Sequence, residues 1–160
     1  MSRPTSSGTE GRGDTGRTLS LPASCSDDRI SVLTEIIALD HIQLAMPAGQ
    51  EALAREFYAG VLGLTEEPKP ANLARRGGVW FQGNGVRLHL GVDSDFRPAR
   101  KAHPALLVSG LEQLASRCRA AGFAPIVDEP LEGFDRVYVF DPFGNRIELL
   151  EPRPPAARQE

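Results

Sequence analysis

The chain has 160 residues, three histidines, two cysteines and a formal net charge of −3. This length suits one compact domain with a core of its own. The small net charge excludes a broadly basic surface, and no apolar run approaches the roughly 18 residues of a membrane span. We therefore expect neither nucleic acid nor a membrane as a partner. Two cysteines give no disulfide framework and the N-terminus lacks a signal-peptide apolar block, so we expect a reducing cytoplasm.

The two ends of the chain differ in composition from the middle. Ser, Thr, Gly and Pro fill 16 of the first 28 positions, which leaves too little apolar surface to offset the entropy lost on ordering. We expect residues 1–36 to form a disordered tail and residues 152–160 to form a second, shorter tail. The folded domain is predicted at 37–151.

The first half of this domain, residues 37–95, alternates between strand and helix patterns. Apolar residues at every second position predict a strand, whereas Leu53, Phe57 and Val61 recur at helical spacing before the stop at Gly63. The predicted elements are a strand at Leu39–Met46, a helix at Gln50–Leu62, a short strand between Leu64 and Arg76, and two strands at Val79–Gln82 and Val86–Val92. Gly83-Asn84-Gly85 predicts a tight hairpin between the last two.

The second half, residues 101–151, follows the same plan. Its predicted elements are a strand at His103–Val108, a helix at Leu111–Ala121, and strands near Pro125–Asp128, Arg136–Phe140 and Asn145–Glu151. The helix carries its apolar stripe on Leu111, Leu114, Cys118 and Ala121 and stops at Gly122. Cys118 on that stripe is interpreted as a core residue rather than a nucleophile.

An internal repeat links the two halves residue by residue. The segment Gly85–Leu90 aligns with Gly144–Leu149 as G-x-R-[LI]-[HE]-L, and Asp40-His41 aligns with Ala102-His103. The chain is therefore interpreted as two tandem βαβββ modules.

Four polar residues occupy the repeated positions and indicate a metal site. His41 and His103 belong to the first strand of each module, and His89 and Glu148 to the last. Each alone is more simply explained as a hydrogen-bonded or solvent-facing strand residue. Since equivalent positions in related modules lie in related places, the four together could converge on one site. Three imidazoles and a carboxylate suit one divalent transition metal, namely Fe, Mn, Co, Ni or Zn.

Further residues near these positions are candidates for substrate contact. Arg87 and Arg146 each precede a site residue by two positions, on the same strand face, and either bind an anionic group or face solvent. Trp80 and Tyr138 are candidates to line an apolar cup. The basic residues of the linker, Arg97, Arg100 and Lys101, are more simply a solvated loop than a binding site.

At this point the sequence resembles the vicinal oxygen chelate superfamily, which includes glyoxalase I, extradiol dioxygenases and bleomycin-resistance proteins. The resemblance covers about residues 37–151. It is carried by four motifs: Leu39-Asp40-His41-Ile42; Glu56-Phe57-Tyr58 with Val61-Leu62-Gly63-Leu64; Lys101-Ala102-His103-Pro104-Ala105; and Phe140-Asp141-Pro142-Phe143-Gly144-Asn145-Arg146-Ile147-Glu148-Leu149.

The resemblance implies an α+β fold in which two βαβββ modules form a cupped, barrel-like mixed sheet with the helices outside. It also implies a homodimer and metal ligands at His41, His89, His103 and Glu148. Glyoxalase I usually has Glu where this chain has His89, which argues against that exact activity.

The implied function is a metal-dependent isomerase, epimerase or lyase acting on a small substrate with vicinal oxygens. The metal would stabilise an enediolate, and Glu148 or His89 would be the general base. Two alternatives stay open. One is a protein that sequesters a drug-like ligand, as bleomycin-resistance proteins do. The other is a small extradiol-type dioxygenase using His41, His103 and Glu148, against which the length of the chain argues.

Overall fold

The computed structural model describes residues 34–154, and all the strands and helices lie in one unit that begins at Ile37. The predicted tails fall outside the described residues for positions 1–33 and 155–160. None of the helices in the described part is both long and apolar enough to cross a bilayer.

The first half forms a four-stranded sheet with helical segments between its strands. Its elements are β1 (Ile42–Met46), α1 (Glu51–Ala54), a π-helical segment (Arg55–Val61), β2 (Thr65–Glu67), α2 (Ala71–Ala74), β3 (Val79–Gly83) and β4 (Val86–Val92). The strand order is β1-β4-β3-β2, with β1 parallel to β4 and the other neighbours antiparallel. The last strand of the half therefore lies beside the first.

The second half repeats this arrangement with three strands. Its elements are β5 (Ala105–Leu107), α3 (Leu111–Ala120), β6 (Phe134–Phe140) and β7 (Arg146–Pro152). The strand order is β5-β7-β6, with β5 parallel to β7 and β6 antiparallel to it. The predicted mixed α+β fold built from two related halves is confirmed.

The strand predicted near Pro125–Asp128 is wrong. Ile126 makes one isolated antiparallel bridge to Tyr138, and no ladder extends from it. Ile126 exchanges two backbone hydrogen bonds with Tyr138, but Pro130, at a later hydrogen-bonding position of the same register, has no backbone N–H to continue a ladder. The second half consequently lacks the counterpart of β2.

The predicted first helix is present but has a different geometry. After one α-helical turn it widens into the π-helical segment, and its buried residues are Ala54, Phe57, Tyr58 and Val61. Phe57 and Val61 of the predicted stripe are therefore buried, whereas Leu53 is not. Leu53 is 40% exposed. The wider turn brings Phe57 and Tyr58, adjacent in sequence, into the core together.

The two halves share one hydrophobic core and one buried polar cluster. Phe57 of the first half packs edge-on against Phe123 of the second, with ring centroids 4.7 Å apart. The buried carboxylate of Asp141 accepts hydrogen bonds from the Tyr58 hydroxyl, the backbone N–H groups of Phe143 and Asn145, and the Asn145 side chain. Asn145 Nδ2 also donates to the carbonyl of Ala45, at the end of β1. Together, these bonds hold β1 and the first helix against the turn that precedes β7.

Candidate active site

Equivalent strand positions in the two halves hold the candidate site residues. In the first half, Trp80 on β3 lies directly opposite His89 on β4. In the second, Tyr138 on β6 lies directly opposite Glu148 on β7. The repeat found in the sequence thus places an aromatic residue beside each polar residue. His41 and His103 lie just before β1 and β5 rather than inside strands, which corrects the predicted starts of both strands.

His89 is enclosed between two other rings. The indole of Trp80 stacks on one face at 4.0 Å and His41 stacks on the other at 4.3 Å, measured between ring centroids. The Nε2 atom of His89 is buried and has no hydrogen-bond partner. Burial lowers the pKa of His89 below its usual value, and the charges of His41 and Arg87 lower it further. His89 is therefore held as an uncharged imidazole with one nitrogen unused.

The orientation of His41 is set by charged neighbours. Its Nδ1–H donates to Asp40 Oδ2 at 2.7 Å, and Arg87 Nη1 donates to Asp40 Oδ1 at 3.2 Å. The hydrogen bond from His41, with the charge of Arg87, holds the pKa of Asp40 below its usual value. Arg87 also lies 3.4 Å from Glu67 Oε1, so its guanidinium is shared between two carboxylates. This arrangement leaves Nε2 as the acceptor nitrogen of His41.

His103 and Glu148 form the second pair. The Nδ1–H of His103 donates to the backbone carbonyl of Lys101 at 2.7 Å, and its Nε2 faces Glu148 Oε2 at 3.3 Å. The lone pairs of an imidazole nitrogen and a carboxylate oxygen this close need a proton or a metal ion between them. Two ligands at right angles on one metal ion, each about 2.1 Å from it, are about 3 Å apart, so this pair fits a metal.

The other oxygen of Glu148 is occupied. Arg136 Nη1 donates to Glu148 Oε1 at 2.7 Å and to the Tyr138 hydroxyl at 2.7 Å. Burial alone raises the pKa of Glu148, but hydrogen bonding, above all from Arg136, outweighs it, and the pKa lies below its usual value. Glu148 is thus held as an anion.

Arg146 lies flat against an aromatic ring. Its guanidinium carbon is 3.6 Å from the ring centroid of Tyr138, and its nearest carboxylate oxygen, on Asp128, is 3.5 Å away. Because that ion pair is long, Arg146 is bound less tightly by carboxylates of the protein than Arg87 or Arg136.

The predicted site residues come together as two groups. The first holds His41, His89, Trp80 and Arg87, and the second holds His103, Glu148, Tyr138 and Arg146. Among residues 34–154, no three side chains of His, Cys, Asp or Glu are close enough to hold a metal ion together. Convergence of all four predicted ligands on one ion stays a prediction.

Two residues of this site were not predicted as participants. Asp40 orients His41, and Arg136 fixes Glu148. Arg136 could have been found from spacing, because it precedes Tyr138 by two positions and so shares its strand face. Asp40 had no comparable signal, since its counterpart in the second half is Ala102.

Comparison with known proteins identifies the fold. A crystal structure of a glyoxalase family protein from Bacillus anthracis is 40% identical, superposes with a TM-score of 0.72, and covers 76% of this chain and 99% of its own. A glyoxalase/dioxygenase from Nostoc punctiforme shares the fold at 20% identity and a TM-score of 0.58, covering 76% and 99% of the two chains. The fosfomycin resistance protein FosX from Listeria monocytogenes shares it at 16% identity and a TM-score of 0.58, covering 75% and 94%.

No protein with curated annotation matches the sequence. The family model described as Glyoxalase/Bleomycin resistance protein/Dioxygenase superfamily matches residues 38–149, which span both halves and all four repeated polar positions. The chain belongs to the Glyoxalase/Bleomycin resistance protein/Dioxygenase superfamily.

Proposed function

We propose that this protein is a metal-dependent enzyme that acts on a small substrate with two neighbouring oxygens, as an isomerase, epimerase or lyase. The observation that carries the proposal is the pair formed by His103 and Glu148. Its two facing acceptor atoms, Nε2 and Oε2, are the arrangement a divalent cation would satisfy. Membership of the superfamily supports the same conclusion, because metal use is common within it.

The residues that would hold the metal are His41, His103 and Glu148, with His89 as the fourth predicted ligand. His41 and His103 each have Nδ1 bound to an acceptor, which leaves Nε2 for coordination. When bound, a divalent metal such as Fe, Mn, Co, Ni or Zn would stabilise the negative charge that a substrate develops on losing a proton. Because the ligands fall into two groups, we propose that a homodimer completes the site. A cytoplasmic location remains a prediction.

The proton would move to a residue of this chain. Glu148 is held as an anion with Oε1 bound by Arg136 and a lowered pKa, so it is a weak acceptor for a substrate proton. His89 has an unpartnered Nε2, which makes it the stronger of the two predicted bases if it stays off the metal. Trp80 and Tyr138 would pack against the substrate, and Arg146 would bind an anionic group on it. Arg87, divided between Asp40 and Glu67, is the weaker candidate for that role.

A ligand-sequestering protein is the second candidate. The observation that favours it is an open cleft of about 550 Å³ beside His103, with a mainly apolar lining from Leu39, Ile42, Pro104 and Ala105. Such a cleft could hold a drug-like molecule without chemistry. A small extradiol-type dioxygenase remains the third possibility, since His41, His103 and Glu148 would also form its ligand triad.

Metal analysis separates these functions. Untagged protein is compared with the variants His103→Ala and Glu148→Ala, and with Glu112→Ala as a control carboxylate on the exposed face of α3. We expect one equivalent of metal per site in the wild type and the control, and none in the two site variants. A wild type that is metal-free and cannot be reconstituted with metal would refute the proposed metal-dependent enzyme and favour the ligand-sequestering protein. Oxygen uptake with Fe(II) and a panel of catechols tests the dioxygenase.

A further inference from the structure

We propose that Arg136 is a positioning residue that restricts Glu148 to binding a metal through one oxygen. The inference rests on the proposed function above and adds a residue to that site. The proposal depends on the guanidinium donating hydrogen bonds both to a predicted metal ligand and to a neighbouring loop.

All three guanidinium nitrogens of Arg136 donate hydrogen bonds. Nη1 donates to Glu148 Oε1 and to the Tyr138 hydroxyl, each at 2.7 Å. Nε and Nη2 both donate to the backbone carbonyl of Glu129, at 3.0 and 2.6 Å. The side chain is only 16% exposed, so water competes little for these donors. The guanidinium is therefore fixed by three partners, one in a loop, one on β6 and one on β7.

A fixed guanidinium determines what Glu148 can do. With Oε1 held, only Oε2 is free, and it faces His103. A carboxylate without this restraint could rotate and bind a metal with both oxygens. Arg136 thus sets the number of oxygens that Glu148 offers and the direction in which the second one points.

The second half also contains an arginine suited to be a matched control. Arg153, at the end of the same sheet, donates twice to Asp135 Oδ1, at 2.9 and 2.7 Å. Both side chains of that pair are at least half exposed, and neither contacts a site residue in the described part of the chain. Replacing Arg153 removes the same charge and a comparable ion pair without affecting Glu148.

The test uses Arg136→Met, Arg136→Lys and Arg153→Met in the full chain. Cobalt(II) titrations followed by visible absorption give the affinity, and the d–d bands report how many ligand atoms bind. Crystal structures of the metal-free wild type and variants give the distance from Glu148 Oε2 to His103 Nε2. If Arg136→Met does not fold by circular dichroism, Arg136→Lys, which keeps the charge but not the planar fork, carries the test.

We expect Arg136→Met to bind cobalt at least about tenfold more weakly, with altered d–d bands, and to show Glu148 displaced from His103. Arg153→Met should match the wild type. A wild type that binds no cobalt, with Glu148 still displaced in the variant, would refute the proposed function but support the positioning role. The inference is overturned if Glu148 keeps its place and cobalt binding is unchanged, or if Arg153→Met causes the same loss.

Discussion

The buried carboxylate of Asp141 is expected to contribute more to stability than any other single polar side chain described above. It accepts four hydrogen bonds, one of them from Tyr58 in the other half of the fold. Replacing it with alanine leaves all four donors without that partner. At roughly 1 kcal/mol for each bond, Asp141→Ala should lose about 4 kcal/mol of unfolding free energy. That is a large part of the roughly 5–15 kcal/mol available to a domain of this size.

Urea denaturation followed by the fluorescence of Trp80, the only tryptophan, measures this loss. The control is Asp135→Ala, which removes a carboxylate from the exposed pair with Arg153 and should cost far less. Burial raises the pKa of Asp141 above its usual value. The folded state therefore binds this proton more tightly than the unfolded chain, and the contribution of Asp141 declines as the pH rises through the folded pKa. The loss in Asp141→Ala should be larger at pH 4 than at pH 8, and equal losses in the two variants would refute this account.

Two further predictions concern the first half. Gly78 has a φ of +76°, and an added Cβ would collide with the carbonyl oxygen of Leu90. The control is Gly122→Ala, where φ is +89° but a Cβ would meet open space, so only backbone strain of approximately 1 kcal/mol is expected. In urea denaturation, Gly78→Ala should lose much more unfolding free energy than this control. In chelator-treated protein, protonation of His89 should quench Trp80 fluorescence with a midpoint below pH 6.5, because the pKa of His89 is lowered. A quenching step that persists in His89→Gln would contradict that assignment.

Local pattern was enough to predict the hairpin and the long strands. Gly83-Asn84-Gly85 predicts a tight turn, and Asn84 and Gly85 do take positive φ values of 49° and 81°. The alternation through Val86–Val92 predicted β4 with both of its ends. These features are determined by residues a few positions apart, so the local sequence is enough to predict them.

Features that depend on distant partners could not be predicted in the same way. The bond from Arg136 to Glu148 joins residues twelve apart through the register of β6 and β7. Without that register, neither residue differs from any other charged residue on a strand. The π-helical segment likewise accompanies the packing of two adjacent residues, Phe57 and Tyr58, into the shared core. An apolar pattern at α-helical spacing does not predict that two neighbours are both buried.

The equivalent register of the two aromatic–polar pairs has a consequence for the charge of the site. Trp80 with His89 and Tyr138 with Glu148 occupy matching positions, yet one pair carries an imidazole and the other a carboxylate. One substitution at either position therefore changes the charge of the site while the pair in the other half is untouched. Because strands pair through backbone groups, such a change leaves the register of the sheet as it is.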